Sequence, residues 1–242
     1  MLPSPLVPPL PRLVGARVLD APLAALAWLL LERGVPVIVA GSEAAAADAL
    51  LDALSAALPR DRRPDAGLGV GDDRLVRLAG RVGIDSPPGI LRAALGATTG
   101  RSGLALAIDA DDLAGVLALL RGQGLTDDEI SFMGVVLVLG ARDTGSAAEA
   151  TDGRRLDTGG LARLVAAHYL RPVVLDAGGH PRRLPPAVLA TWDPATDAWD
   201  DYAWGLTADL AERARMRIGD LEAECDRRAA ALTDHAGGGP VG

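Results

Sequence analysis

One stretch, Pro36 to Pro59, constrains the fold more than any other. It opens with Val37-Ile38-Val39-Ala40, a short apolar run rich in β-branched residues, as a buried parallel strand requires. Gly41 and Ser42 follow as turn and cap residues. Leu50, Leu51, Leu54 and Leu58 then recur at helical spacing, and Pro59 stops the helix. Strand, tight turn and helix form the frame of a phosphate-binding loop. The chemistry of such a loop is missing. Where G-x-x-x-x-G-K-[ST] counted from Gly41 needs Gly, Lys and Ser/Thr, the chain has Ala46, Ala47 and Asp48.

The physics of anion binding agrees with that vacancy. A phosphate loop works because backbone N–H groups converge at a helix N-terminus and a lysine neutralises the phosphate charge. Here Glu43 lies beside the turn and Asp48 in the first helical turns, so carboxylates compete for those N–H groups and repel a phosphate. Four successive alanines, Ala44 to Ala47, favour continuous helix over an open anion nest.

The rest of the chain supplies further strands separated by helices. The 242 residues suffice for one α/β domain with a small appendage. Leu104–Ile108 and Val135–Leu139 read as two more buried strands. Asp20 caps a helix carrying Leu23, Leu26, Leu30 and Leu31. Asp72 or Asp73 is positioned to cap a short helix through Leu75, Val76 and Leu78, Val82-Gly83-Ile84 reads as a short strand remnant, and Ser86-Pro87 is placed to open another helix. Asp109 or Asp111 is placed to cap the helix after Ile108, and Thr126-Asp127-Asp128-Glu129 is a capping box. Leu161–Leu170 and Pro172–Leu175 are strand-like, the first run fitting a helix equally well, and 188–192 with 199–204 make a hairpin around Asp193–Asp197. Three of the four tryptophans and both tyrosines fall between Tyr169 and Trp204, which suggests a small aromatic core there. Thr207 is placed to cap a further helix. The last helix, Leu221 to Leu232, is charged on most of its surface, as an exposed element or a partner contact would be. The fold expected is a mainly parallel sheet flanked by helices with a C-terminal antiparallel extension. Its divisions are an arm at 1–18, whose Leu10, Leu13 and Val14 are available to pack on the body or on a neighbour, an α/β domain at 19–215 with the antiparallel section at about 161–205, and a helix with a flexible tail at 216–242.

The order of these pieces, over roughly Pro36 to Glu212, resembles the motor domain of the type II/IV secretion and pilus-assembly ATPases, a branch of the P-loop NTPases. Pro36–Gly41 through Leu54 resembles that family's strand, phosphate loop and helix. Thr99-Gly100-Arg101-Ser102-Gly103 with Leu104–Asp111 resembles its Thr-Gly-His-x-Gly turn and following strand. Gly134–Arg142 resembles its late strand ending in arginine, and 163–204 its closing antiparallel strands. The departures fall at the chemistry. The family's phosphate-loop lysine falls at Ala47 and its Mg²⁺-holding hydroxyl at Asp48. Its catalytic acid leaves only a displaced Asp85, its turn histidine is Arg101, and its strand-end histidine is Asp109. The resemblance therefore implies a degenerate nucleotide loop at Gly41, Ser42, Glu43, Ala46, Ala47 and Asp48, and a residual constellation of Asp85, Arg101, Asp109 and Arg142.

Other constellations are weaker. His168, His180 and His235 with Cys225 offer no compact metal-ligand spacing. Asp109, Asp111 and Asp112 suit Mg²⁺ in kind, but helix capping explains them more cheaply. No nucleophile elbow supports a triad from Ser42 or Ser131 with His168. A net charge of -8 argues against nucleic acid and anionic membranes as partners. A single cysteine suits a reducing compartment, and the proline-rich start does not resemble a signal peptide. The expectation is a cytoplasmic, non-hydrolysing secretion-ATPase-like protein without cofactor or metal, structural or regulatory in an oligomer with itself or with an active homologue. Two alternatives are an ATPase with displaced groups, using Arg101 and Asp109, and a small-molecule or peptide binding module using the crevice beyond Gly41 and Asp109.

Overall fold

Alternation of apolar side chains along the strands sets the layers of this protein. The computed structural model describes residues 10–64, 74–98, 103–141 and 162–237. Strand β1 (Val37–Ala40) sends Val37 and Val39 into one apolar core and Ile38 and Ala40 into another. Four parallel strands surround this point: β2 (Val76–Val82), β3 (Leu104–Ile108), β1 and β4 (Val135–Ala141). Three antiparallel strands continue the sheet: β5 (Ala162–Tyr169), β8 (Ala187–Asp193) and β9 (Ala198–Asp201). The seven-stranded order is β2-β3-β1-β4-β5-β8-β9. Val174–Leu175 (β6) and Pro181–Arg182 (β7) form a separate two-stranded ribbon, so only part of the expected Pro172–Leu175 strand exists. The result is a mixed, mostly parallel sheet flanked by helices.

One face is covered by α1 (Leu10–Gly15), α2 (Ala21–Glu32), α3 (Ala44–Ala57), α7 (Thr207–Ala214) and α8 (Ile218–Gly237). The other carries α4 (Ile90–Ala97), α5 (Leu113–Gly122) and α6 (Asp127–Ser131). Asp20 caps α2 by accepting from the Leu23 amide at 2.9 Å. The capping box closes α6, with Thr126 and Glu129 each accepting from the other's backbone amide. Among the described residues no helix is long and apolar enough to cross a membrane.

Several local expectations change. Leu75–Leu78 is not a helix: Val76 begins β2, and a register shift near Gly80, at φ 78°, hides the period-two pattern. Helix α4 starts at Ile90, because Ser86 and Pro87 each precede a proline and are kept from helical backbone. Ser86 instead accepts the Gly83 amide through its hydroxyl at 2.9 Å. Asp112, not Asp109 or Asp111, caps α5 by accepting from Gly115 at 2.7 Å. Leu206, not Thr207, occupies the cap position of α7, and the Thr207 hydroxyl donates to the Trp204 carbonyl at 2.9 Å.

Two larger changes concern packing. The segment expected as an arm holds α1 from residue 10, with Leu10 and Leu13 buried against the body. Helix α8 is no free appendage, since Leu221 and Leu232 are buried and it lies along α1 and α2. Its Arg228 is buried too, pairing with Glu32 and Glu224 at 2.7 Å each and lying 4.2 Å over the Trp28 ring. A charged helix becomes a core wall because its one buried cation is matched from the facing helix. The aromatic cluster is likewise built around a charge. Arg163 sits between Trp192 and Trp199, at 4.7 and 5.6 Å from their ring centres, and pairs with Asp197. Tyr169 packs in the main core and Trp204 is 78% exposed, so neither joins it.

Candidate functional site

Three residues, Gly41-Ser42-Glu43, connect β1 to α3. A phosphate loop of the expected frame needs the backbone open from Gly41 to Ala46. Here helix runs from Ala44 through Ala46, Ala47 and Asp48. Ser42 is exposed and makes no side-chain cap, and Glu43 holds the cap position without a side-chain cap bond. Gly41 is wedged beside Leu139: a Cβ there would meet that residue's Cβ and carbonyl oxygen at 3.1 Å. Glycine therefore allows the sheet to close tightly under the turn.

The bulged edge strand β2 grips this turn through Arg81 and the following helix through Arg77. Arg81 donates to the carbonyls of Gly41 and Ser42, the latter at 3.0 Å, and to Asp109 at 3.0 Å. Arg77 pairs with Asp52 and approaches Asp48 at 3.8 Å, and burial holds its guanidinium below the usual arginine range. A nucleotide phosphate would need converging N–H donors at this place. The Gly41 and Ser42 carbonyls of the turn are bound to a guanidinium, which crowds the approach to it. Glu43 adds a carboxylate oxygen that is buried and unpartnered among the described residues. Ala47, where a phosphate-loop lysine would stand, is fully buried in the core with Leu50, Leu51 and Leu54.

The remaining candidates do not converge. Asp109 follows β3, is 59% exposed on its side chain and meets Arg81. Asp85 lies exposed in the turn after β2 and forms no ion pair among the described residues. Arg101 and Arg142 lie outside the described residues. Among the described residues no group of three or more histidines, cysteines and carboxylates is placed to hold a metal. His168, half-buried on β5, has its pKa lowered by burial. His180 lies 3.5 Å from Asp176 in an exposed turn, and the Cys225 thiol is pushed up to about 11 by burial.

Arg81 and Arg77 escaped the sequence reading. Arg77 fell in a segment taken for a short helix, and Arg81 between that segment and the strand remnant at Val82–Ile84. Neither the models of known protein families nor the characterised proteins contain a match to this chain.

A concavity lies at the opposite end of the sheet, where Val35 and Pro36 lead into β1. It is a cleft of about 860 Å³ walled by α4, by Phe132 just beyond α6, by 171–174 and by the end of α7. The crevice beyond Gly41 and Asp109, where a small-ligand module was expected, is not this cleft.

Proposed function

We propose that this chain is a non-hydrolysing relative of the type II/IV secretion and pilus-assembly ATPases, with a P-loop NTPase-like fold and a structural or regulatory role in a larger assembly. The observation that carries the reading is the closed β1–α3 turn. A strand, turn and helix stand where a nucleotide loop would stand, but helix begins at Ala44 and Arg81 binds the turn's carbonyls. The central position of β1 between β3 and β4 supports the likeness in frame. The absence of lysine at Ala47 and of a hydroxyl at Asp48 supports the loss of turnover.

The role left to such a protein is to occupy a place among copies of itself or of an active homologue. Ring assembly needs a head-to-tail contact between unlike faces. Helix α8 is a poor candidate for that contact, because it walls the core. The exposed Trp204 and Tyr202 beside the edge strand β9 are better placed. Light scattering at several concentrations, alone and with an active homologue, tests the assembly. A strict monomer that also fails to bind the homologue removes this role. An ATPase with displaced groups predicts saturable ATP turnover that is lost on Asp109→Asn.

A further inference from the structure

The cleft at the start of β1 carries a charge that the chain as a whole does not. Five arginines and three carboxylates line it, a surplus of two positive charges on a protein of net charge -8. Two of the arginines are already matched: Arg92 with Glu129 at 3.3 Å and Arg171 with Asp209 at 2.9 Å. Arg213 has no carboxylate partner among the described residues. It donates to the Phe132 carbonyl at 2.6 Å and lies 5.3 Å over that ring. Burial depresses its pKa, and the neighbouring Arg215 charge adds to the effect. Arg33 and Arg215 are exposed and meet no carboxylate among the described residues. Glu212 is the one lining carboxylate left to offset these three cations.

A buried group points to what the cations serve. Tyr169, the last residue of β5, lines the cleft yet is fully buried, and its hydroxyl has no hydrogen-bond partner among the described residues. Burial pushes its ionisation up to about 12, with Arg213, Asp209, Arg171 and Glu212 acting on it as neighbours. It is therefore a neutral donor across the physiological range. Leaving such a donor unmatched is unfavourable, because it gives up hydration without gaining a partner. An incoming oxygen that displaces the covering side chains would recover that cost. The volume lies within the usual range for small-molecule sites. The half-exposed Phe132 ring and Val174 offer an apolar rest for the body of a ligand.

We propose that this cleft binds a small organic anion through a phosphate or carboxylate group, held by Arg33, Arg213 and Arg215 and by the Tyr169 hydroxyl. The site shares no residue with the β1–α3 turn, so it goes beyond the proposed function and survives that proposal's failure.

The test is calorimetric titration of inorganic phosphate, pyrophosphate and citrate into the full chain at low and high salt. Three proteins are compared: wild type, Arg33→Gln with Arg215→Asn, and Tyr169→Phe. Asparagine suits position 215, whose φ is 55°. The expected result is saturable, salt-weakened binding of at least one probe. The double variant should weaken it about tenfold or more, as expected for loss of charge-assisted contacts. Tyr169→Phe should weaken it about threefold or more with no fall in the unfolding midpoint. Preference for phosphate and pyrophosphate assigns a phosphorylated ligand, and preference for citrate a carboxylate. Failure of all three probes to saturate at millimolar concentration overturns the proposal, as does equal affinity in wild type and the double variant. Equal affinity in Tyr169→Phe overturns the role of the hydroxyl, leaving it satisfied by a structural water only.

Discussion

Restoring the lysine of a phosphate loop should damage this protein before it helps it. Ala47→Lys is the sharpest version of that repair. Ala47 is fully buried on the core face of α3, in the first turns of the helix. A fully buried lysine loses about 3–5 pKa units, and each unit is about 1.4 kcal/mol, so burial of the ammonium alone costs about 4–7 kcal/mol without relaxation. Forcing a longer side chain into a packed site adds about 1–3 kcal/mol. Snorkelling of the stem toward Ser42 and Glu43 reduces the first cost, so the expected loss is at least about 3 kcal/mol of a total that is usually about 5–15 kcal/mol. Ala47→Met separates size from charge and should lose only about 1–3 kcal/mol. The sign of the pH dependence separates them again. The buried lysine titrates below its unfolded value of about 10.4, so the unfolded chain binds more protons in that window. The extra deficit of Ala47→Lys over Ala47→Met should therefore shrink as pH rises toward 10.4. Urea unfolding of both variants at neutral pH and near pH 10 measures this. An Ala47→Lys chain within about 0.5 kcal/mol of wild type would refute the reasoning, because that is the behaviour of a surface position. It would mean that position 47 faces an open loop.

Three further outcomes follow from the packing. Arg228→Ala should destabilise by about 3 kcal/mol, the lower end for a broken buried pair, because Glu32 and Glu224 keep some access to water; a change in unfolding midpoint too small to measure would free α8 from its role as a core wall. The Glu224 carboxyl is held down to about 2 by hydrogen bonds from Arg227 and Arg228, so its stabilisation is complete above the ordinary value near 4.5 and is lost as pH falls toward 2; an NMR titration in which Glu224 keeps its ordinary midpoint would contradict the pairing. Thr126→Ala should cost about 1 kcal/mol through loss of the capping box on α6, and chemical denaturation showing no loss would contradict that cap.

The elements that were legible in the sequence were those whose signal is local and redundant. β1 and β4 announce themselves as β-branched apolar runs, β3 as a short unbroken apolar run, and Thr126–Glu129 and Asp20 as caps with one good partner each. The hairpin of β8 and β9 was visible from its turn and its tryptophans. What was missed depends on tertiary contact. β2 carries a register shift between Arg77 and Arg81 that breaks its alternation, so its first half looked like a short helix and the grip on the turn went unseen. α8 looked exposed because Arg228 counts as polar in a sequence, while the matching Glu32 is 196 residues away. The cleft was invisible for the same reason. Its arginines come from the ends of α2, α4 and α7 and from the segment after β5, which only the fold brings together.

The closed turn is the central claim, and Mg²⁺-ATP binding tests it most directly. Because an anionic cleft ligand could contribute heat of its own, the titration belongs in the Arg33→Gln, Arg215→Asn chain beside wild type. A closed turn gives no saturable Mg²⁺-ATP binding to that variant at millimolar nucleotide. Micromolar binding that persists in the variant and is lost when Gly41→Val blocks the turn would contradict it.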